Sequence, residues 1–255
     1  MGIDTALQLY SLRHHAEEDF PGMLGMAADA GYDAVEFAGF GGLPATELRS
    51  LLDHLGLRAV SAHVPYASLA EEPGPVIADL TTLGCAHAVV PGLPAHLRTS
   101  ERLPDLTSTF NRLGALCRNA GLRFGYHNHA WELAPSPDAR FLDVLADATD
   151  PSLVNFQLDV YWALVAGIDP STWIRAHEGR VPTLHAKELA VAGEHHHDTT
   201  VGDGLNDWPS ILAAARRAGT EWLIVEQEDD QSNLPADIAR SLANARRLIA
   251  SHTEG

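Results

Sequence analysis

Eight short apolar runs alternate with eight amphipathic stretches along this chain, and few architectures accommodate that rhythm. The runs fall at 6–10, 34–37, 58–63, 87–91, 122–127, 153–159, 181–186 and 222–227. Each has the length and the near-continuous hydrophobicity of a strand buried on both faces of a parallel sheet. The stretches between and after them, at 19–30, 44–55, 74–83, 100–120, 138–147, 169–178, 207–218 and 234–251, carry the spacing of surface helices. Several end in a glycine ahead of the next strand, as at Ala30-Gly31, Leu55-Gly56, Ala120-Gly121 and Ala218-Gly219, where a helix stops most easily. The pattern predicts an α/β fold, a (β/α)8 TIM barrel, with residues 1–255 as one domain.

The helix starts agree. Asp19 before Pro21, Asp169 before Pro170 and Asp207 before Pro209 each put an acidic cap and a proline into a first turn. A formal charge of −17 repels nucleic acid and anionic membranes, so a neutral small molecule is the natural partner. No run is long enough to span a membrane, and the N-terminal MGIDTALQLYSLR does not read as a signal peptide, which suggests a cytoplasmic protein. Cys85 and Cys117 form no metal-binding or disulfide pattern. The run Glu194-His195-His196-His197-Asp198 reads as a solvated loop after the seventh strand, with a lid role open.

Strand parity carries the chemistry. In the sixth strand Phe156 and Leu158 face one way and Asn155, Gln157 and Asp159 the other. Val35 and Phe37 oppose Glu36; Val60 and Ala62 oppose Ser61 and His63; Leu184 opposes Thr183, His185 and Lys187. The first strand offers Gln8 and Tyr10, the fifth Gly125, His127 and His129, and the eighth Glu226. A purely structural barrel interior would hold Val, Ile and Leu here. Unpaired buried carboxylates cost several kcal/mol each, so a converging ionisable set calls for a cation or a tight hydrogen-bond network. Glu132, Asp159, His185 and Glu226, at the C-terminal ends of the last four strands, form a candidate cage for one divalent metal. Taken singly, Glu36 and His63 divide evenly between contact with a substrate and support of another side chain.

The segments Tyr126-His127-Asn128-His129-Ala130-Trp131-Glu132, Gln157-Leu158-Asp159, His185-Ala186-Lys187 and Val225-Glu226 together resemble the xylose-isomerase-like superfamily. The likeness is greatest to its sugar phosphate isomerase/epimerase members, relatives of ketose 3-epimerases and inosose dehydratases. It implies that Glu132, Asp159, His185 and Glu226 hold the metal. Three carboxylates and one imidazole suit Mn²⁺ or Mg²⁺, with Co²⁺ or Zn²⁺ as further candidates. Trp162 stands where the superfamily's three-metal nucleases have a histidine, which argues for one metal and against DNA repair.

The resemblance further implies proton removal beside a carbonyl, with Glu132 and Glu226 as base and acid. His129 is assigned to a sugar hydroxyl or a proton transfer. His127 is divided between substrate and support of Glu132, and Lys187 between an oxyanion contact and an ion pair with Glu188 or a metal-holding carboxylate. Trp131 and Trp162 could pack on a sugar ring. The loops after strands seven and eight read VGDGLND and EQEDDQ, too acidic for a phosphate, so an unphosphorylated sugar, keto-sugar or cyclitol is expected. Three readings follow: an isomerase or 3-epimerase; a lyase resembling inosose dehydratase or a 3-keto-glycoside eliminase; and a non-catalytic sugar-binding barrel. A homo-oligomer is compatible with each.

Overall fold

A computed structural model of the chain describes residues 2–136, 139–193, 195–229 and 232–251. Strands β1 (Asp4–Gln8), β2 (Ala34–Phe37), β3 (Arg58–His63), β4 (His87–Val90), β5 (Arg123–His127), β6 (Val154–Asp159) and β7 (Thr183–Ala186) follow the expected runs. A hairpin of β8 (Glu188–Ala192) and β9 (His195–Thr199) intervenes before β10 (Trp222–Val225), the expected eighth strand. The barrel closes in the order β1-β10-β7-β6-β5-β4-β3-β2, with every neighbouring pair parallel. Helices fill the connections: α1 (Arg13–Glu18), α2 (Phe20–Asp29), α3 (Ala45–Leu55), α4 (Tyr66–Glu71), α5 (Pro73–Leu83) and α6 (Leu103–Asn119) in the first half. In the second half come α7 (Ala130–Leu133), α8 (Phe141–Ala148), α9 (Val160–Val165), α10 (Pro170–Ala176), α11 (Trp208–Ala218) and α12 (Leu234–Ser251). None of the described helices is long and apolar enough to cross a membrane.

The caps act as the sequence implies. Asp19, Asp169 and Asp207 accept the backbone N–H groups of Gly22, Ser171 and Ser210 at 2.9, 3.0 and 3.2 Å. Gly56 and Gly219 end α3 and α11 with φ of 69° and 77°, a left-handed turn that a side chain would strain. Inside α6, Gly114 allows close approach: a Cβ there would lie 2.4 Å from the Leu153 carbonyl at the entry to β6.

Outward-facing strand residues such as Leu7, Val35, Phe37, Phe124, Phe156 and Leu158 join the helices in one apolar layer. A second, small cluster of Ala6, Ala34, Val60 and Ile224 fills the barrel's own interior. Val60 thus departs from the expected parity. The β2–β3 register pairs Val35 with Ala59 and Glu36 with Ser61, so Val60 is the extra residue of a bulge. The bulge lets Val60 plug the barrel while Ser61 still reaches Glu36.

The loop after the seventh strand is also a correction, because His195 to Asp198 form a strand rather than a solvated loop. Leu189 pairs with Asp198 and Val191 with His196, while His195 and His196 stay exposed. Glu194 lies outside the described residues, as do Asp138, Asp230 and Gln231 of the expected helix start and acidic loop. Long-range contacts hold the hairpin. Glu188 accepts from the Gly202 and Asn206 backbone and from Trp208 Nε1 at 2.6, 2.9 and 2.6 Å. Gly204 lies so close that a Cβ would come within 2.3 Å of the Leu189 carbonyl.

Candidate active site

The floor of the site is built on Glu36, wholly buried at 0% exposure. Gln8 Nε2 and His185 Nε2 donate to its Oε1 at 2.6 and 2.7 Å; Ser61 Oγ and Gln157 Nε2 donate to Oε2 at 2.5 and 2.7 Å. Burial alone would raise its pKa, but the His63 and His185 rings and the donors from His185 and Ser61 hold it well below the usual carboxylate range. Glu36 does not line the cavity; of its two expected roles, contact with substrate and support of another side chain, its position beneath His185 and Gln157 fits the second.

Above it stand Asp159, His185 and Glu226, whose ligand atoms all lie within 4.8 Å of one another. Asp159 Oδ1 accepts the Trp162 backbone N–H at 3.1 Å, which starts α9 and fixes the carboxylate. Its Oδ2 is buried with no hydrogen-bond partner. That orphan oxygen sits 3.8 Å from His185 Nδ1 and 4.0 Å from His127 Nε2, and His185 Nδ1 is 3.1 Å from Glu226 Oε2. Two donors each about 2.1 Å from one divalent ion lie about 3.0–3.4 Å apart at octahedral or tetrahedral angles, so a small inward movement would close the set on a cation. Burial raises the pKa of Asp159, while Glu36 and Glu226 outweigh burial at His185 and raise it to about 10.

The other imidazole group, His63, His127 and His185, points a different way. His63 Nε2 and His127 Nδ1 meet Gln157 Oε1 at 2.7 and 3.1 Å, and His185 Nε2 meets Glu36. Those nitrogens already have partners. His63 also stacks on His185 with ring centroids 5.2 Å apart and planes 9° from parallel.

A cavity of about 400 Å³ opens above this floor, lined by Tyr10, Pro65, Pro91 and Trp162 around His63, His127, His129, Glu226 and Glu228. His129 keeps an expected place there, between His127 and Trp162. Burial, reinforced by His63 and Lys187, lowers its pKa to about 4 and keeps the ring neutral. Trp162 lines the cavity as expected, but Trp131 does not; it packs on Phe141 and under the Arg98 guanidinium. Tyr10 and Glu228 were not among the expected site residues. Tyr10, which strand parity paired with Gln8, belongs to a short 3-10 turn, Leu9–Leu12, rather than to the first strand.

Glu132 stands outside both ligand groups. Tyr126 Oη donates to its Oε1 at 2.6 Å and the His129 backbone N–H to its Oε2 at 2.9 Å. Because Tyr126 belongs to the outer apolar layer, these bonds turn the carboxylate away from the cavity floor, and burial raises its pKa to about 7. Lys187 is likewise engaged, pairing with Glu228 and, at 3.4 Å, with Asp198, with its ammonium over the Tyr161 and Trp162 rings. Its ion pairs do not include Glu188.

A closed parallel barrel with such a polar floor at its strand C-terminal ends is an enzyme architecture. The sequence profile of the xylose isomerase-like TIM barrel matches residues 24–248, and the chain belongs to that enzyme family. It is 26% identical to an inosose dehydratase of Geobacillus kaustophilus (strain HTA426), with 84% of each chain covered. It is 28% identical to an inosose dehydratase of Lacticaseibacillus casei over 52% of this chain, spanning about half (49%) of that relative. A solved sugar phosphate isomerase/epimerase from Parabacteroides distasonis ATCC 8503 superimposes with a TM-score of 0.79 at 27% identity, covering 98% of this chain and 96% of that one.

Proposed function

We propose that this protein is a divalent-metal-dependent enzyme that enolises an unphosphorylated keto-sugar and isomerises or epimerises it. One observation carries the reading: the unpartnered, buried Asp159 Oδ2 among His127, His185 and Glu226 at the foot of an open cavity. A buried oxygen of this kind is costly unless a cation meets it. Asp159, His185 and Glu226 would hold the ion, with His127 in the position first expected of Glu132. Two imidazoles and two carboxylates favour Mn²⁺, Co²⁺ or Zn²⁺ over Mg²⁺. When bound, such an ion supplies Lewis acidity that eases loss of the proton beside a carbonyl.

The chain's own groups handle that proton. Glu226 lines the cavity, and the His185 ring outweighs burial to keep it ionised; it serves as the base. Glu226, protonated by that step, returns the proton, and His129, neutral and facing the same cavity, donates a hydrogen bond to a sugar oxygen. Glu132 supports His129 through its backbone N–H instead of touching the substrate. Trp162 and Tyr10 offer flat walls to the sugar, and His63 reaches the cavity's edge.

A phosphate fits poorly. Glu226 and Glu228 line the cavity, while Lys187 is engaged by Glu228 and Asp198. Arg13 donates to the Tyr10 and Glu228 carbonyls at 3.2 and 3.0 Å.

The inosose dehydratase relatives favour a second reading, in which the same enolate expels a β-hydroxyl from a keto-cyclitol. One experiment separates the two. Metal-stripped protein is reloaded with Mn²⁺ and incubated with ketoses and keto-cyclitols in D₂O under NMR. Deuterium incorporation with an epimeric or isomeric product supports the first reading, and a dehydrated product the second. Turnover unaffected by removing the metal, or a sugar phosphate preferred to its unphosphorylated form, would overturn the corresponding part of the proposal.

A further inference from the structure

We infer that Glu36 is a positioning residue whose single buried carboxylate orients the rings of His185, His127 and His63, leaving a lone pair on His127 Nε2 and presenting His185 Nδ1 towards Asp159. The inference rests on the metal-dependent reading above and goes beyond it by naming what makes those rings ligands.

The reasoning follows the hydrogen bonds outward. Four donors converge on the two oxygens of Glu36, from Gln8, His185, Ser61 and Gln157. A carboxylate so surrounded is ionised and accepts only. Facing that acceptor at 2.7 Å, His185 Nε2 carries a hydrogen, while Nδ1 donates to Glu226 Oε2 at 3.1 Å and is the nitrogen a cation would compete for beside Asp159 Oδ2. The same acceptor fixes the Gln157 amide, because only its NH₂ can approach Glu36 Oε2 at 2.7 Å. Gln157 Oε1 then faces the rings and accepts from His63 Nε2 and His127 Nδ1 at 2.7 and 3.1 Å. His127 is thereby the Nδ1–H tautomer, and its Nε2 lone pair looks towards Asp159 Oδ2, 4.0 Å away.

Gln8 closes the pattern. Its Oε1 accepts the Tyr10 backbone N–H at 3.0 Å, so its NH₂ must face Glu36, with His63 Nδ1 as a 3.3 Å acceptor. His63 is accordingly hydrogenated on Nε2, in agreement with its bond to Gln157. Every member agrees with the others: the Tyr10 N–H orients Gln8, and Glu36, which cannot donate, orients the rest.

Glu36→Gln nearly preserves shape but introduces an NH₂ where the network needs an acceptor. That donor allows Gln157 to reverse, its NH₂ then facing the rings, and moves the His127 hydrogen to Nε2. Partners of this type typically change metal affinity by about 10–100-fold. The test uses the full chain with ¹⁵N-labelled histidine and two readouts. In the chelator-treated parent, side-chain ¹⁵N spectra are expected to show His127 hydrogenated on Nδ1 and His63 on Nε2. In calorimetry, Glu36→Gln is expected to bind Mn²⁺ at least about tenfold more weakly than the parent, and Glu36→Asp to recover part of that loss. Parent spectra with His127 hydrogenated on Nε2 would overturn the inference whether or not the variant folds. So would a folded Glu36→Gln protein with parental Mn²⁺ affinity. A parent that bound no Mn²⁺ yet showed the expected tautomers would instead refute the functional reading and leave the positioning role of Glu36 standing.

Discussion

Asp159→Asn separates the cost of the site to the metal-free protein from its benefit to the loaded one. The variant keeps Oδ1 as acceptor for the Trp162 N–H and replaces the orphan Oδ2 with an amide that can donate to His127 Nε2. An unsatisfied buried polar atom costs about 1–3 kcal/mol, so the metal-free variant should be more stable than the parent by about 1–2 kcal/mol. For a chain of this size that is about 2–8 °C in Tm. The loaded state should reverse the order. Binding at a hundred times Kd adds about 2.7 kcal/mol, or about 5–11 °C, to the parent. The variant, without the central anionic donor, should gain little at that same Mn²⁺ concentration. Thermal melts of both proteins in EDTA and in Mn²⁺ measure all four states. A metal-free variant melting several degrees below the parent, or one with the parent's Mn²⁺ shift, would refute the reasoning.

Two further outcomes test the surroundings of the site. Burial raises Glu132 from 4.5 to about 7, so its protonated form favours the fold. That contribution, up to about 3 kcal/mol, is complete below pH 4.5 and lost as pH rises through 7. Urea titrations in chelator should therefore show the parent losing stability relative to Glu132→Gln over that window; parallel curves would contradict the assignment. Lys187→Met leaves Asp198, which is buried, and Glu228 without their ammonium. The expected loss is about 3 kcal/mol by urea denaturation, and one below about 1 kcal/mol would show the pair to be unimportant.

Much of the barrel could be read from periodicity because each strand and helix has to bury its own apolar face. The expected helix at 234–251 coincides with α12 (Leu234–Ser251), and Asp19, Asp169 and Asp207 cap as expected. The same local logic found the inward parity of Gln157, Asp159 and His185. It failed at Val60, where the bulge alters parity, and at His195 to Asp198, whose strand is held by Glu188, Gly204 and Lys187 rather than by its own pattern. Tyr10, read as an inward residue of the first strand, reaches the cavity from the 3-10 turn that follows that strand, and Glu228 escaped notice because its loop has no strand periodicity.

The sequence by itself determined the barrel and the polar character of its interior, since alternation along a strand decides which side chains face inward. It also brought Asp159, His185 and Glu226 to adjoining strand ends. Only the tertiary structure decided what each inward group does, because a carboxylate's role depends on partners far away in the chain. Glu132 turns to Tyr126 and the backbone. Glu36, joined to residues from β1, β3, β6 and β7, lies beneath the histidines instead of beside a substrate. His127 comes within 4.0 Å of Asp159 Oδ2, the one buried carboxylate oxygen among the described residues that has no hydrogen-bond partner.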